Sequence, residues 1–160
     1  MSTGTPATQM LTKAKIAFRT AEYDYVPGQH AIGMHAAEAI GVEPERVLKT
    51  LMVEVDGKGA CAVIPSDRTL SMKRVAAAFG GKTATMMAPD KAERLTGYHT
   101  GGISPFGQRK RHPTAFEATA LDAAEVVING GKRGLMVLLS PADALAVLGA
   151  AAKPLCADRD

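Results

Sequence analysis

Residues 49–64 constrain the fold more than any other stretch. Lys49-Thr50-Leu51-Met52-Val53-Glu54-Val55 is followed by Asp56-Gly57 and then by Ala60-Cys61-Ala62-Val63-Ile64. Aliphatic and β-branched runs on either side of an Asp-Gly pair describe a strand, a tight turn and a second strand, since Asp-Gly tolerates the positive φ that hairpin turns need. The pattern recurs later. Glu125 to Ile128, the turn Asn129-Gly130-Gly131, and Gly134 to Leu139 predict a second hairpin.

Helical signals separate these hairpins. Thr5-Pro6 places a capping residue before a first-turn proline, with Ala7, Met10, Leu11 and Ala14 at helical spacing. Phe18 to Tyr25 reads as a strand, Pro27-Gly28 as a break, and His35 to Ile40 as a short helix stopped at Gly41. Pro44 opens a helical turn through Val47. Ser71 caps a helix with Met72, Val75, Ala76 and Phe79 on one face, ended by Gly80-Gly81. A strand from Thr83 to Met87, a helix from Pro89 to about Leu95, and a last helix from Ser140-Pro141 to Leu148 complete the reading. Hairpins interspersed with helices predict an α+β fold with a mixed, mostly antiparallel sheet rather than a parallel doubly wound one.

With 160 residues and 46% hydrophobic content, the chain suits one well-filled core and is short for two. The expected domain spans residues 5–150, with 1–4 and 151–160 as tails. No apolar run approaches the ~20 residues that cross a bilayer, and the N-terminus lacks a basic region followed by an apolar one, so a cytoplasmic location without membrane contact is expected. Cys61 and Cys156 form neither a metal-ligand pair nor a disulfide framework and read as reduced thiols. A net charge of +3 suits a polyanionic partner, and its clustering matters more than its size: Arg109-Lys110-Arg111 and Lys132-Arg133 stand together. Aromatic content of 4%, with no tryptophan, argues against a surface that holds single strands by stacking bases.

Chemistry concentrates in Thr100-Gly101-Gly102-Ile103-Ser104-Pro105-Phe106-Gly107-Gln108 and the cations after it. Adjacent glycines let backbone approach a ligand or take positive φ, and Pro105 stiffens the turn. The stretch suits an anionic or carbonyl-bearing ligand, although such runs also serve as ordinary loops. Familiar motifs fail. Gly81-Lys82-Thr83 lacks the phosphate-loop glycine five residues earlier, where Ala76 stands. Gly102 to Phe106 lacks the second glycine of a hydrolase elbow, so Ser104 is a poor nucleophile. The four histidines have no neighbours at metal spacing, and nothing implies a cofactor. With no nucleophile–base pair, only modest chemistry such as activated ester cleavage is within reach, where one preorganised N–H donor on a developing oxyanion contributes ~3 kcal/mol.

Three separated motifs, Val47-Leu48-Lys49-Thr50-Leu51, Gly101 to Arg111, and Gly130-Gly131-Lys132-Arg133-Gly134-Leu135, together resemble the YbaK family of aminoacyl-tRNA deacylases. The likeness runs from about Thr5 to Leu148. It implies a partial barrel flanked by helices, related to the editing domain of prolyl-tRNA synthetase, and proofreading in trans of mischarged Cys-tRNA(Pro) with that synthetase as partner. A pocket separates such near-isosteres as Cys and Pro by only ~1 to 3 kcal/mol, hence a second, hydrolytic site. In this family the substrate's own thiol is taken to attack the ester. The resemblance places the essential lysine at Lys49 with Thr50 assisting, and the carbonyl-contacting amides at Gly101 and Gly102. Tyr23, Ile32, Ser104, Asn129 and Met136 fall at substrate-pocket positions, and Arg109, Lys110, Arg111, Lys132 and Arg133 along the tRNA. Met136 replaces an aspartate, Ile32 a phenylalanine and Asn129 a serine, changes that alter the walls rather than the Lys49 and Gly101 chemistry. Another small amino acid such as Ala, or a non-catalytic tRNA- or synthetase-binding module, are the alternatives.

Overall fold

The computed structural model describes residues 4–25 and 32–159, with side chains excepted for 32–34. In chain order it contains α1 (Pro6–Lys13), β1 (Arg19–Glu22), α2 (Ile32–Ile40), a 3-10 turn (Pro44–Arg46), β2 (Val47–Val55), β3 (Lys58–Pro65), α3 (Met72–Ala78) and β4 (Ala84–Met86). Then follow α4 (Pro89–Thr96), β5 (Thr114–Glu117), a second 3-10 turn (Ala118–Asp122), β6 (Val126–Asn129), β7 (Leu135–Leu139), α5 (Pro141–Leu148) and β8 (Ala151–Lys153). The expected break at Pro27-Gly28 lies outside the described residues.

Local chemistry accounts for the boundaries. The Thr5 hydroxyl accepts the Thr8 N–H while the Thr8 hydroxyl accepts from the Thr5 backbone, a reciprocal cap that starts α1 at Pro6. Ser71 and Ser140 cap α3 and α5 in the simpler way. In the first hairpin Asp56 (φ 50°) and Gly57 (φ 82°) take the positive φ of its turn, and Leu48 to Val55 pairs with Pro65 to Lys58 over its whole length.

The sheet runs β1-β7-β6-β2-β3-β5-β8, with β4 on β2 beside this path. The β1–β7, β7–β6, β2–β3 and β2–β4 pairings are antiparallel, and β6–β2, β3–β5 and β5–β8 are parallel. It is an α+β domain whose sheet stays open, with β1 and β8 at the ends. Along β2 the faces alternate. Leu48 and Met52 pack into a core with Phe106, Phe116 and Leu139, while Val53 and Val55 face a second core with Ile64 and Leu155.

Thr114–Glu117 forms β5, a strand the sequence does not signal: it has four residues, follows Pro113 and finds its parallel partners far along the chain. Residues 151–160 are also more than a tail. Ala151–Lys153 extends the sheet, and Leu155 and Cys156 are buried. The Glu117 carboxylate holds them, its Oε1 accepting the Leu155 and Cys156 N–H groups at 2.9 Å each.

Candidate active site

One cavity fills a gap in the sheet. β2 pairs with β6 only at Val47 and Leu48 and with β4 only from Val53 to Val55, so one edge of β2 lacks a partner strand between them. Backbone groups alternate sides along a strand. The Val47 carbonyl accepts from Ser66 on the β3 side, and the Met52 carbonyl accepts from Met87 on the β4 side. By that alternation the N–H and C=O of Thr50 point into the gap. A cavity of about 400 Å³ occupies it, with Lys49, Thr50, Gly101, Tyr23, Asn129 and Met136 among its walls. Lys49 and Thr50 are successive strand residues, so they enter from opposite faces of the sheet.

Lys49 is half-buried. Burial pushes its ammonium below the usual lysine range, against the opposing influence of Cys156 and Asp67. The Thr50 Oγ1 is buried with no hydrogen-bond partner among the described residues. An unpaired buried hydroxyl is costly, and here it belongs to a residue that lines the cavity. Gly101 supplies the third group. Its φ of 90° requires glycine, and a Cβ there would lie 2.7 Å from the Tyr25 hydroxyl. Its carbonyl accepts from the Asn129 side-chain amide at 3.3 Å, and no backbone bond from its N–H is found among the described residues.

Gly102 is different, and the expectation that both amides face the substrate is corrected. Its N–H donates to the His99 carbonyl at 2.8 Å, and a Cβ there would meet the Arg133 nitrogen at 2.8 Å. Gly102 is a packing glycine. Ser104 is likewise corrected: it is fully buried, its Oγ accepts the Phe106 N–H at 3.2 Å, and it does not line the cavity. Asn129 joins the two glycine turns, since its amide also donates to the Lys132 carbonyl and its Oδ1 accepts the Gly131 N–H at 2.7 Å.

Tyr23 and Met136 form an apolar wall with Ala36 and Val47. The Tyr23 ring meets His35 edge-on, 5.7 Å between centroids, and burial, then Tyr25, raises its phenol pKa. The side chain of Ile32 lies outside the described residues. Tyr25 was not anticipated from sequence. It covers Gly101, and the Arg133 guanidinium stands 5.1 Å from its ring centroid while donating to the Thr100 carbonyl at 2.8 Å. Only the fold brings positions 25, 101 and 133 together.

The expected tRNA-facing cations separate. Arg133 is at the cavity rim, beside Thr100. Arg109 and Arg111 are exposed but reach the C-terminal ends of two helices, donating to the Arg94 and Leu148 carbonyls, where cations offset the helix dipole. Lys110 is exposed on the same segment and Lys132 is half-buried, and none of these five cations lines the cavity.

No histidine, cysteine or carboxylate lines the cavity among the described residues. The Ser66 hydroxyl is turned to the Val47 carbonyl, and Thr50 has no base beside it. The walls offer a cation, a free hydroxyl and backbone donors, which suits stabilising charge on a reacting carbonyl rather than attacking it.

The site is thus a sheet-edge cavity in an open mixed sheet, lined by a lysine and a glycine turn. The chain belongs to the aminoacyl-tRNA editing domain family, whose family model matches residues 27–147. It is 33% identical over 139 residues to a protein of Enterococcus faecalis named as a Cys-tRNA(Pro)/Cys-tRNA(Cys) deacylase, EbsC, covering 86% of this chain and 84% of that one. A proline–tRNA ligase of Maridesulfovibrio salexigens is 30% identical over 108 residues, 61% of this chain and 18% of the ligase. The multifunctional Ser/Thr-tRNA deacylase ProXp-y of Escherichia coli is 25% identical over 147 residues, 86% of this chain and 83% of that one. A crystal structure described as a trans-editing enzyme for prolyl tRNA synthetase shares the fold, with a TM-score of 0.78 over 97% of this chain and 99% of that one at 20% identity. No helix among the described residues is long and apolar enough to cross a membrane.

Proposed function

We propose that this protein is a trans-editing aminoacyl-tRNA deacylase that clears Cys-tRNA(Pro). The observation that carries the reading is the meeting of Lys49, Thr50 and Gly101 on one cavity that, among the described residues, is lined by no histidine, cysteine or carboxylate to act as nucleophile or base. The Lys49 ammonium and the Gly101 N–H stabilise the oxyanion that forms at the ester carbonyl. Thr50 Oγ1 bonds a substrate hydroxyl. The attacking group then comes from the substrate. The cysteine thiol adds to its own ester carbonyl, a C–S bond forms as the C–O bond to the ribose breaks, and the thiol proton passes to the departing ribose hydroxyl. The products are a cyclic thiolactone and free tRNA.

Tyr23, Ile32, Asn129 and Met136 receive the amino acid, and Arg133 at the rim leads the exposed cations toward the acceptor stem. Docking on prolyl-tRNA synthetase supplies the tRNA selection that a few salt-sensitive phosphate contacts cannot. A second reading has one observation in its favour: Met136 is buried in the wall and accepts hydrogen bonds weakly, which suits an apolar side chain such as alanine. Assaying tRNA(Pro) charged with Cys, Ala, Ser and Pro separates the two. Cleavage of cysteinyl ester with release of thiolactone supports the first, cleavage of alanyl ester alone supports the second, and tRNA binding with no cleavage of any ester makes the protein a binding module.

A further inference from the structure

Behind the glycine loop sits a side chain that none of these steps uses. The Gln108 Nε2 donates to the Ser104 carbonyl at 3.0 Å and lies 3.5 Å from Met52 Sδ on β2 and 3.9 Å from Cys61 Sγ on β3. One amide thus ties the loop to both strands beneath it, and Met52 is itself a wall of the cavity. With its nitrogen on the Ser104 carbonyl, Gln108 turns its Oε1 toward His112, whose Nδ1 is 2.8 Å away. An amide oxygen only accepts, so Nδ1 must carry the proton.

That tautomer leaves Nε2 bare in the neutral ring. Nε2 is buried with no partner among the described residues, and the ring lies over Gly59, where a Cβ would come 3.0 Å from Cδ2 and 3.3 Å from Nε2. A second proton there would be buried with its charge and without an acceptor. A backbone hydrogen bond with Lys110 favours the charged ring, and the other surroundings offer no help. Lys110 and Arg111 on its own segment are cations, and the Cys61 thiol of β3 is pushed up to about 12 by burial and stays neutral. Met10 of α1, Leu148 of α5 and Met87 carry no charge, and no carboxylate lines the small cavity that His112 and Gln108 share. Burial, then the Lys110 charge, outweighs the Lys110 backbone hydrogen bond and holds the imidazole below its ordinary range.

We propose that Gln108 and His112 are a positioning pair that presents the Gly101 loop to β2, and that protonation of His112 releases it. Its effect on turnover rests on the deacylase reading; its effect on the loop does not. A ring that gains a proton on Nε2 must leave Gly59 to find an acceptor, Gln108 then loses its fixed orientation, and the Ser104 carbonyl loses its anchor. The sign follows from the lowered pKa: the loop is held above the ordinary histidine range and loosens as pH falls through the lowered value.

The test compares the wild type with His112→Asn, His112→Leu and Gln108→Leu. Asparagine keeps an amide donor near the Nδ1 position and takes no proton. Two readouts run from pH 5 to 8: amide exchange protection of residues 101–107 without substrate, and steady-state deacylation of Cys-tRNA(Pro) and Ala-tRNA(Pro). Loop protection should fall by about tenfold at the acid end in the wild type, be that low at every pH in both leucine variants, and stay high throughout in His112→Asn. kcat should follow protection, with KM within about twofold. Full protection in either leucine variant, or the same acid limb in His112→Asn as in the wild type, overturns the proposal. If the wild type cleaves neither ester, the deacylase reading fails while the exchange measurement still decides the pair's role.

Discussion

At Gly101-Gly102 and at Gly130-Gly131 the chain makes two glycine turns that lock together, the Lys132–Arg133 backbone packing on Gly102 and the Asn129 amide holding the Gly101 carbonyl. In the second turn both glycine amides are engaged: Gly130 N–H donates to the Leu135 carbonyl, and Gly131 N–H to Asn129 Oδ1. Thr5 caps it from α1, its hydroxyl donating to the Gly130 carbonyl. In the first turn Gly102 is engaged in the same way, and Gly101 alone keeps an N–H without a backbone acceptor among the described residues. Identical residue pairs therefore divide into one whose amides are both bonded and one that keeps a donor to spare. Glycine at a tight approach is a packing requirement; what marks a site is the donor left over when the packing is satisfied.

The sharpest way to break that contrast is Gly101→Ala. The new methyl would collide with the Tyr25 hydroxyl, and alanine at a φ of 90° is strained, so the amide should shift and single-turnover deacylation drop by about a hundredfold. Gly102→Ala should act differently. Its methyl meets main chain rather than a side chain, so the two turns must separate, and melting temperature should fall together with activity, by about 5 °C for roughly 2 kcal/mol. A Gly102→Ala protein with unchanged stability but no activity would mean that Gly102, too, serves the reaction directly.

How far the sequence reveals this contrast depends on where each constraint comes from. Both hairpins, the caps at Thr5, Ser71 and Ser140, and the proline-initiated helices are legible because each is decided by residues within a few positions of one another. β5, β8 and the burial of Leu155 and Cys156 are not, since they depend on parallel pairing and on a Glu117 contact across 38 positions. The site divides differently. Motif resemblance singles out Lys49, Thr50 and Gly101, which line one cavity. It cannot separate Gly101 from Gly102, or remove Ser104: the groups that engage them, on His99 and Phe106, are near in sequence, but no motif encodes which of these bonds the loop makes. Tyr25 carries no motif at all.

The smallest expected effect lies far from the turns. Burial works to raise the Glu117 pKa, but the Leu155 and Cys156 N–H groups outweigh it and hold the carboxylate below its ordinary range. A depressed carboxylate stabilises the fold above its unfolded pKa and loses that contribution as pH falls through the folded value. Glu117→Gln should lower the melting temperature by a few degrees at pH 7, less so below pH 4, with kcat unchanged, as thermal melts and a pH series of deacylation rates would register. A loss of activity without a loss of stability would place the C-terminal strand in the site rather than behind it.

The central claim is that Lys49 and the Gly101 amide perform ester cleavage with no nucleophile from the protein. Single-turnover deacylation of Cys-tRNA(Pro) by Lys49→Ala, alongside a melting curve, tests it most directly. The rate should fall by at least about a hundredfold while the fold melts within a few degrees of the wild type. A folded Lys49→Ala protein that cleaves the ester at the wild-type rate would contradict it.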